Sequence, residues 1–185
     1  MTPVLPKPLP TKLNLGCGRA RRDDCLNVDR RPSVGPDLQW DLDQYPYPLP
    51  SQHFEMIYAL DIVEHLADLP VFMEEAHRLL RPDGVLEVTT PHFSCANSYT
   101  DPTHRLHLGY FSFDFFTATS PYDFESPVGF IIDERLIVFH AGRLARLWAW
   151  AANRWPERYE RRFAWVYPAW FLRFRLKAIA RGTKA

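Results

Sequence analysis

Gly16 and Gly18 flank Cys17 in the stretch Lys12 to Asp29, KLNLGCGRARRDDCLNVD, and Asp29 closes the apolar run Leu26-Asn27-Val28. Two glycines free to take positive φ let a ligand approach the backbone closely. A carboxylate at the carboxyl end of a strand beside such a turn suits the two hydroxyls of a ribose. These residue types at this spacing describe a nucleoside site. The competing reading is a left-handed turn between two core strands with an incidental acid, since a lone G-x-G is a weak signal. A dinucleotide site is disfavoured, because Arg21 stands where G-x-G-x-x-G needs glycine or alanine. The acid of that fingerprint also falls about 20 residues on, whereas ten residues separate Gly18 from Asp29.

The elements that must position these residues follow from hydrophobic pattern. Leu13 and Leu15 around Asn14 suit a buried strand, and Leu26 to Asp29 a second. The chain between them is too short for a turn and a crossover helix, which together need about a dozen residues or more, so the first crossover is expected to be clipped. Leu38 to Leu42 reads as a short third strand, and Phe54 to Leu60 as a fourth ending at Asp61. Ile62 to Leu66 is then a turn or short helix at the carboxyl end of that strand, where open α/β sheets bind ligands. Asp68 is a helix N-cap with Pro70 in the first turn. Phe72, Ala76, Leu79 and Leu80 recur at helical spacing until Pro82-Asp83-Gly84. Val85 to Thr90 is the next strand, expected to pair in parallel through a right-handed crossover. His92 to Ser126 lacks periodicity but is dense in histidines and aromatics, as functional loops over a sheet edge are, with a short helix expected over Phe111 to Ala118. Phe130 to Phe139 is a strand, Arg143 to Asn153 a helix, and Phe171 to Ile179 a half-buried strand whose outer face carries Arg173, Arg175 and Lys177.

Length and composition exclude several classes. At 185 residues, 46% hydrophobic and 24% charged, the chain is expected to be one soluble globular domain. Seventeen prolines and 15% aromatics predict many loops and an aromatic surface or pocket. Three cysteines without a C-x-x-C pair support neither a disulfide framework nor a zinc knuckle, so a reducing cytoplasm fits. The start MTPVLPKPLP lacks the apolar core of a signal peptide, and Phe163 to Leu172 is half the length that spans a bilayer. Neither export nor a transmembrane helix is expected. The net charge is zero, but residues 1–140 carry 11 basic against 20 acidic side chains, giving −9, and residues 141–185 carry 11 against 2, giving +9. Such asymmetry points to an anionic partner for the basic end or to docking of that end on the acidic body.

LNLGCG, NVD, WDLD, FEMIYALDIVEHL and RLLRPDGVLEVTTPHF, in this order and spacing, resemble the class I S-adenosylmethionine-dependent methyltransferases. Among these the chain is most similar to small bacterial methyltransferases found with envelope-glycan functions. The resemblance is strong over residues 12–93. It implies a Rossmann-like α/β fold, a mostly parallel seven-stranded sheet with a C-terminal antiparallel hairpin and the shortened first crossover. The whole chain would be a single methyltransferase domain: a leader over 1–11, a cofactor core over 12–93, an acceptor lid over 94–128, and terminal strands with a helical insertion over 129–185. The cofactor would be S-adenosyl-L-methionine. Carried over by motif, Asn14, Gly16, Cys17 and Gly18 would form the turn beside its methionine moiety, and Asp29 would hold the ribose. Asp41 and Leu42 would flank adenine, and Leu60 and Asp61 would line the methionine end. Asn14 replaces the usual acid of the motif and Ala20 its third glycine.

Methyl transfer from a sulfonium needs alignment and exclusion of water, with a base only where the acceptor must lose a proton. Histidine is the natural base near neutral pH. The lid offers His92, His104 and His107, with Asp101 in the turn Asp101-Pro102-Thr103-His104. That turn recurs in the resembling proteins, so His104 ranks first as base, with Asp101 and His92 as partners. The alternative for His104 is a turn histidine that shapes the lid. His92, Asp101, His104 and His107 are permissible metal ligands, but their spacing is common by chance and no metal is expected. Glu64-His65 reads as a cap at the helix start, and Cys17 as a small turn residue. The acceptor would be a small molecule or glycan, including a lipid-linked precursor. The arginines and tryptophans of residues 143–170 suit either an aromatic core under a solvated basic face or an anionic membrane surface, so the protein is expected in the cytoplasm, with the inner membrane face as its place under the second reading. Nucleic acid is disfavoured because no reading module is present. A cofactor-binding module without catalysis is the alternative function.

Overall fold

The computed structural model describes residues 5–117 and 129–179. Residues 118–128 of the expected lid, the start of the leader, and Arg181 and Lys184 of the basic end lie outside the described residues. Seven strands form one sheet in the order β3-β2-β1-β4-β5-β7-β6. β1 (Lys12–Leu15), β2 (Leu26–Asp29), β3 (Leu38–Gln39), β4 (Phe54–Leu60) and β5 (Leu80–Pro91) pair in parallel. β7 (Phe171–Ala178) runs antiparallel to both β5 and β6 (Phe130–Val138), the C-terminal hairpin expected from the sequence. β2 is buried throughout and β1 nearly so, as parallel strands covered on both faces are.

The first crossover contains no helix. Residues 16–25 loop directly from β1 to β2, and a buried amide network takes over the pairing that a helix would have supplied. Asn27 accepts from Asn14 Nδ2 at 3.0 Å and from the Arg22 N–H at 2.9 Å. Its own amide donates to the Arg22 and Cys25 carbonyls and to Asp37. Both asparagines are almost wholly buried, so these bonds satisfy groups that would otherwise be costly to bury.

α1 (Leu69–Leu79) follows β4, with Asp68 Oδ1 accepting from the Val71 N–H at 3.0 Å as its N-cap. Phe72, Met73, Ala76 and Leu79 form its buried face. β5 begins at Leu80 rather than at Val85. Leu80 pairs with Phe54 and Val85 with Met56, so Arg81 to Gly84 bulge out opposite Glu55. A Cβ on Gly84 would lie 2.9 Å from the Arg81 and Phe54 carbonyl oxygens, which explains glycine there. β3 is shorter than expected and stops before Asp41. The Trp40 N–H donates to the Asp29 carbonyl, and Asp41 Oδ1 then accepts from the Asp43 N–H at 3.1 Å, an Asx turn that bends the chain away.

After β5 a short α2 (Asn97–Thr100) precedes the Asp101 turn. The helix expected from Phe111 is a 3-10 turn over Asp114–Phe116, because Phe113 is drawn into the core against Phe174 at 4.5 Å. The insertion between β6 and β7 holds two helices, α3 (Ala145–Arg154) and α4 (Pro156–Arg162). Pro156 opens α4 from the first turn, where its missing N–H costs nothing. No helix among the described residues is long and apolar enough to cross a membrane.

Candidate active site

A cleft of about 720 Å³ runs along the carboxyl ends of β1, β2 and β4. At one end are Gly16, Asp29, Asp41 and Leu42. Gly16 has φ 63° and Gly18 φ 49°, a region where side chains are rarely tolerated. A Cβ on Gly16 would lie 2.5 Å from Ile62, which itself lines the cleft, so any larger residue would fill the cradle. Asp29 Oδ2 accepts from the Gly18 N–H at 2.9 Å and Oδ1 from the Arg31 N–H at 2.8 Å. The Arg31 guanidinium lies against the same carboxylate, its Nε 3.2 Å from Oδ1. Burial pushes the Asp29 acid up, but the Arg31 side chain and the two backbone donors outweigh it and hold the group below its ordinary value. Asp29 is therefore a fixed anion. Its roughly four lone-pair sites are engaged by two backbone donors and by a guanidinium on a side chain 58% exposed. A ribose diol fits by taking the place of the guanidinium alone.

At the other end are Asp61, His65, Asp101, Thr103 and Arg105. Val63–His65 forms a 3-10 turn, and the Glu64 carbonyl accepts from the Arg105 and Leu106 N–H groups at 2.8 and 3.1 Å. This pairing docks the lid on the turn. Arg105 also meets Asp43 across the cleft at 3.2 Å. Thr103 Oγ1 donates to Asp101 Oδ1 at 2.6 Å and so accepts from His65 Nδ1 at 2.9 Å. The network thereby assigns the proton to Nδ1 and leaves a lone pair on His65 Nε2. Burial, and then the neighbouring His104, lower the His65 pKa, which keeps the ring neutral near pH 7. Asp61 takes φ 55° at the end of β4, and its Oδ1 accepts from Thr89 Oγ1 at 2.7 Å.

Of the residues expected to bind cofactor, Gly16, Asp29, Asp41, Leu42 and Asp61 line the cleft, whereas Asn14, Cys17, Gly18 and Leu60 do not. Asn14 spends its amide on Ala20 and Asn27, which gives it a supporting place in the turn. Gly18 acts through its N–H on Asp29. Burial, then the Asp29 charge, raise the Cys17 pKa, which disfavours the thiolate. Of the expected catalytic group, Asp101 lines the cleft. His104 sits one layer behind, its ring 4.6 Å from that of His65 and its Nδ1 3.3 Å from the Ser98 carbonyl. The expectation for His92 is corrected: it is fully buried, bonded to Ser94 at 2.8 Å and to Glu160 at 3.2 Å. It ties the lid to α4 and faces no solvent. His65, Thr103 and Arg105 were not expected. The only signal for His65 was its position after the β4 strand end, and its sequence neighbours read equally well as a cap.

Comparison with known proteins agrees with this geometry. A family profile described as "Methyltransferase domain" matches residues 13–170. A Mycolicibacterium smegmatis protein named "Probable S-adenosylmethionine-dependent methyltransferase" is 33% identical over 104 residues, covering 54% of this chain and 37% of its own. The chain thus spans little more than a third of that relative's length. Among solved structures, a methyltransferase from Archaeoglobus fulgidus aligns with TM-score 0.58 and 16% identity over 92% of this chain and 87% of that one. Another from Mesorhizobium loti aligns with TM-score 0.51 and 17% identity over 90% of each. These two share the fold. With most of its length inside the matched profile, the chain belongs to the methyltransferase-domain family and has the class I fold.

Proposed function

We propose that this methyltransferase acts at an anionic membrane surface on a hydroxyl of a lipid-linked polar acceptor, such as an envelope-glycan precursor. The observation that carries this reading is the outer face of the insertion. Leu144, Leu147, Trp150, Trp155, Trp165 and Val166 are each at least 46% exposed, an unusual concentration for a soluble surface. On α3 the buried Ala145 and Ala152 form one stripe with the half-buried Trp148, and the exposed Leu147 and Trp150 lie on the opposite side. Such a helix is apolar on both faces. Exposed Arg143, Arg146, Arg154, Arg158 and Arg162 surround this patch, and among the described residues none of them forms an ion pair. By contrast Arg173 pairs with Glu87 at 3.3 Å and Lys177 with Asp83 at 2.9 Å. Arg173 and Lys177 are thus paired with the acidic body, while these insertion arginines remain for an external anion.

The insertion is tied to the lid. Glu160 on α4 accepts from the Tyr110 N–H and bonds His92, and Trp165 packs on Phe93 at 5.7 Å. A surface that seats the insertion would therefore lie beside the segment that carries Asp101 and Thr103. When bound, the cofactor would supply a methyl group on a sulfonium, open to displacement by an acceptor oxygen with the carbon–sulfur pair left on sulfur. Asp29 and the glycine turn hold the adenosyl end. Arg105 and Asp101 offer charged hydrogen bonds to a hydroxylated acceptor, and the free lone pair of His65 is where the acceptor's proton is drawn off. Each accessible cation near an anionic bilayer adds about 1 kcal/mol.

Sedimentation with vesicles tests this reading. Binding should be stronger to anionic than to neutral vesicles and fall as salt rises, and the exposed double change Leu147→Glu with Trp150→Glu should abolish it. Methylation of lipid-linked glycans with labelled cofactor should exceed that of the same glycans without lipid. Equal binding to both vesicle types, or transfer indifferent to the lipid, contradicts the proposal.

A further inference from the structure

We infer that Glu64, His65 and His104 form a binding site for a divalent transition-metal ion behind the acceptor end of the cleft. A carboxylate oxygen of Glu64 and one ring nitrogen of each histidine lie within 4.8 Å of one another. His104 Nε2 stands 4.0 Å from Glu64 Oε1, too far for a hydrogen bond between them. A second observation independently asks for a ligand: Glu64 is 2% exposed, and its Oε2 has no hydrogen-bond partner. Burial pushes the Glu64 acid up to about 7; the Thr90 hydroxyl nearby favours the charged form, but it too is without a hydrogen bond. A buried carboxylate oxygen in that state is costly unless it is protonated or meets a cation.

Both histidines are prepared as ligands are. A metal-binding imidazole donates its other N–H to a protein acceptor, which fixes ring and tautomer. His65 gives Nδ1–H to Thr103, which is backed by Asp101, and His104 has Nδ1 facing the Ser98 carbonyl. Each ring keeps Nε2 for a ligand bond. Ligands at about 2.0–2.2 Å from one ion sit closer together than these atoms do, so each would move inward by roughly 1 Å or less. Two imidazoles and one carboxylate suit zinc, iron, cobalt or manganese rather than calcium or magnesium. Three protein ligands leave a position open, and His65 places it beside the cleft.

The inference deepens the proposed function. It rests on transfer to a hydroxyl, which an ion at this position would bind and make easier to deprotonate. The acceptor would then lose its proton to water, and the His65 lone pair would be held by the ion.

Cobalt(II) titration of the metal-stripped, untagged full chain tests this, read by its visible ligand-field absorption, with zinc(II) competing. The expected result is one ion per chain and an affinity at least tenfold weaker in Glu64→Gln, His65→Ala and His104→Ala. His107→Ala should retain full affinity, since His107 is bonded to Ser98 and stacked on Tyr99 outside the cluster. Circular dichroism identifies any variant that fails to fold, and the near-isosteric Glu64→Gln keeps the test decisive if a histidine variant does. Absence of stoichiometric binding, or binding unchanged in all three variants, overturns the inference. No acceptor or vesicle enters this titration, so its failure is distinct from failure of the membrane or glycan reading.

Discussion

The two ends of the cleft are built in different ways. The end proposed for the adenosyl group comes from short stretches of neighbouring sequence, in which Gly16, Gly18 and Asp29 meet because one clipped connection brings them together. The acceptor end is assembled from distant segments, with His65 following β4 and Thr103 arriving 38 residues later through the lid. A site made by one connection is specified by local spacing, whereas a site made by docking two segments depends on tertiary contacts such as those to the Glu64 carbonyl. The difference separates affinity from chemistry, and each end can be perturbed alone.

The largest effect is expected at the docked end. With an acceptor that is methylated, His65→Ala should lower turnover by about 10²–10⁴-fold, since His65 either draws off the proton itself or holds the ion that eases its loss, and both act in the transition state. His92→Ala should instead lower folding stability, because His92 is buried between Ser94 and Glu160. A turnover loss confined to His92→Ala, with the fold intact, would reverse the assignment of the two histidines.

At the local end, Asp29→Ala should weaken the cofactor by about 1.5–3 kcal/mol, the value of a charged hydrogen-bond acceptor, measured by equilibrium dialysis. Asn27→Ala should lower unfolding free energy by about 1–3 kcal/mol, because Asn14, the Arg22 N–H and Asp37 lose a buried partner. Denaturant unfolding measures this, and an unchanged midpoint would show that the amide network is not what closes the connection.

Arg31→Ala gives the smallest effect. The guanidinium occupies acceptor positions that a ribose needs, so cofactor affinity should stay equal or rise by about threefold, within the range of a surface ion pair. The same change should shift the acid limb of stability upward. Asp29 has a folded pKa depressed below 3.8, partly by Arg31, so its contribution is present above that value and is lost as pH falls through the depressed one. Without Arg31 that loss should begin at higher pH in acid titration, and cofactor binding that collapses in Arg31→Ala would contradict the competition.

β1 and β2 were legible because they are buried on both faces and read as apolar runs around Leu13, Leu15 and Leu26, and β7 because Leu172, Phe174 and Leu176 alternate with its half-buried cations. The errors fell where side chains redirect the backbone. Asp41 caps its own turn and shortens β3, and Phe113 leaves a helical path for the core. In the cleft, the sequence placed Gly16 and Asp29 together, but not the bonds that hold the turn around them. Asn14 and Gly18 serve Asn27 and Asp29, a fact visible only in their hydrogen bonds. His65 resembled a helix cap until Thr103 was seen beside it.

Calorimetric titration of S-adenosylmethionine into the wild type, Asp29→Ala and His65→Ala tests the division of the cleft most directly. The wild type should bind, Asp29→Ala should bind at least about tenfold more weakly, and His65→Ala should stay within about threefold of wild type because it contacts the other end. Equal losses in both variants, or full affinity in Asp29→Ala, would contradict a cleft with the cofactor anchored at one end and the chemistry at the other.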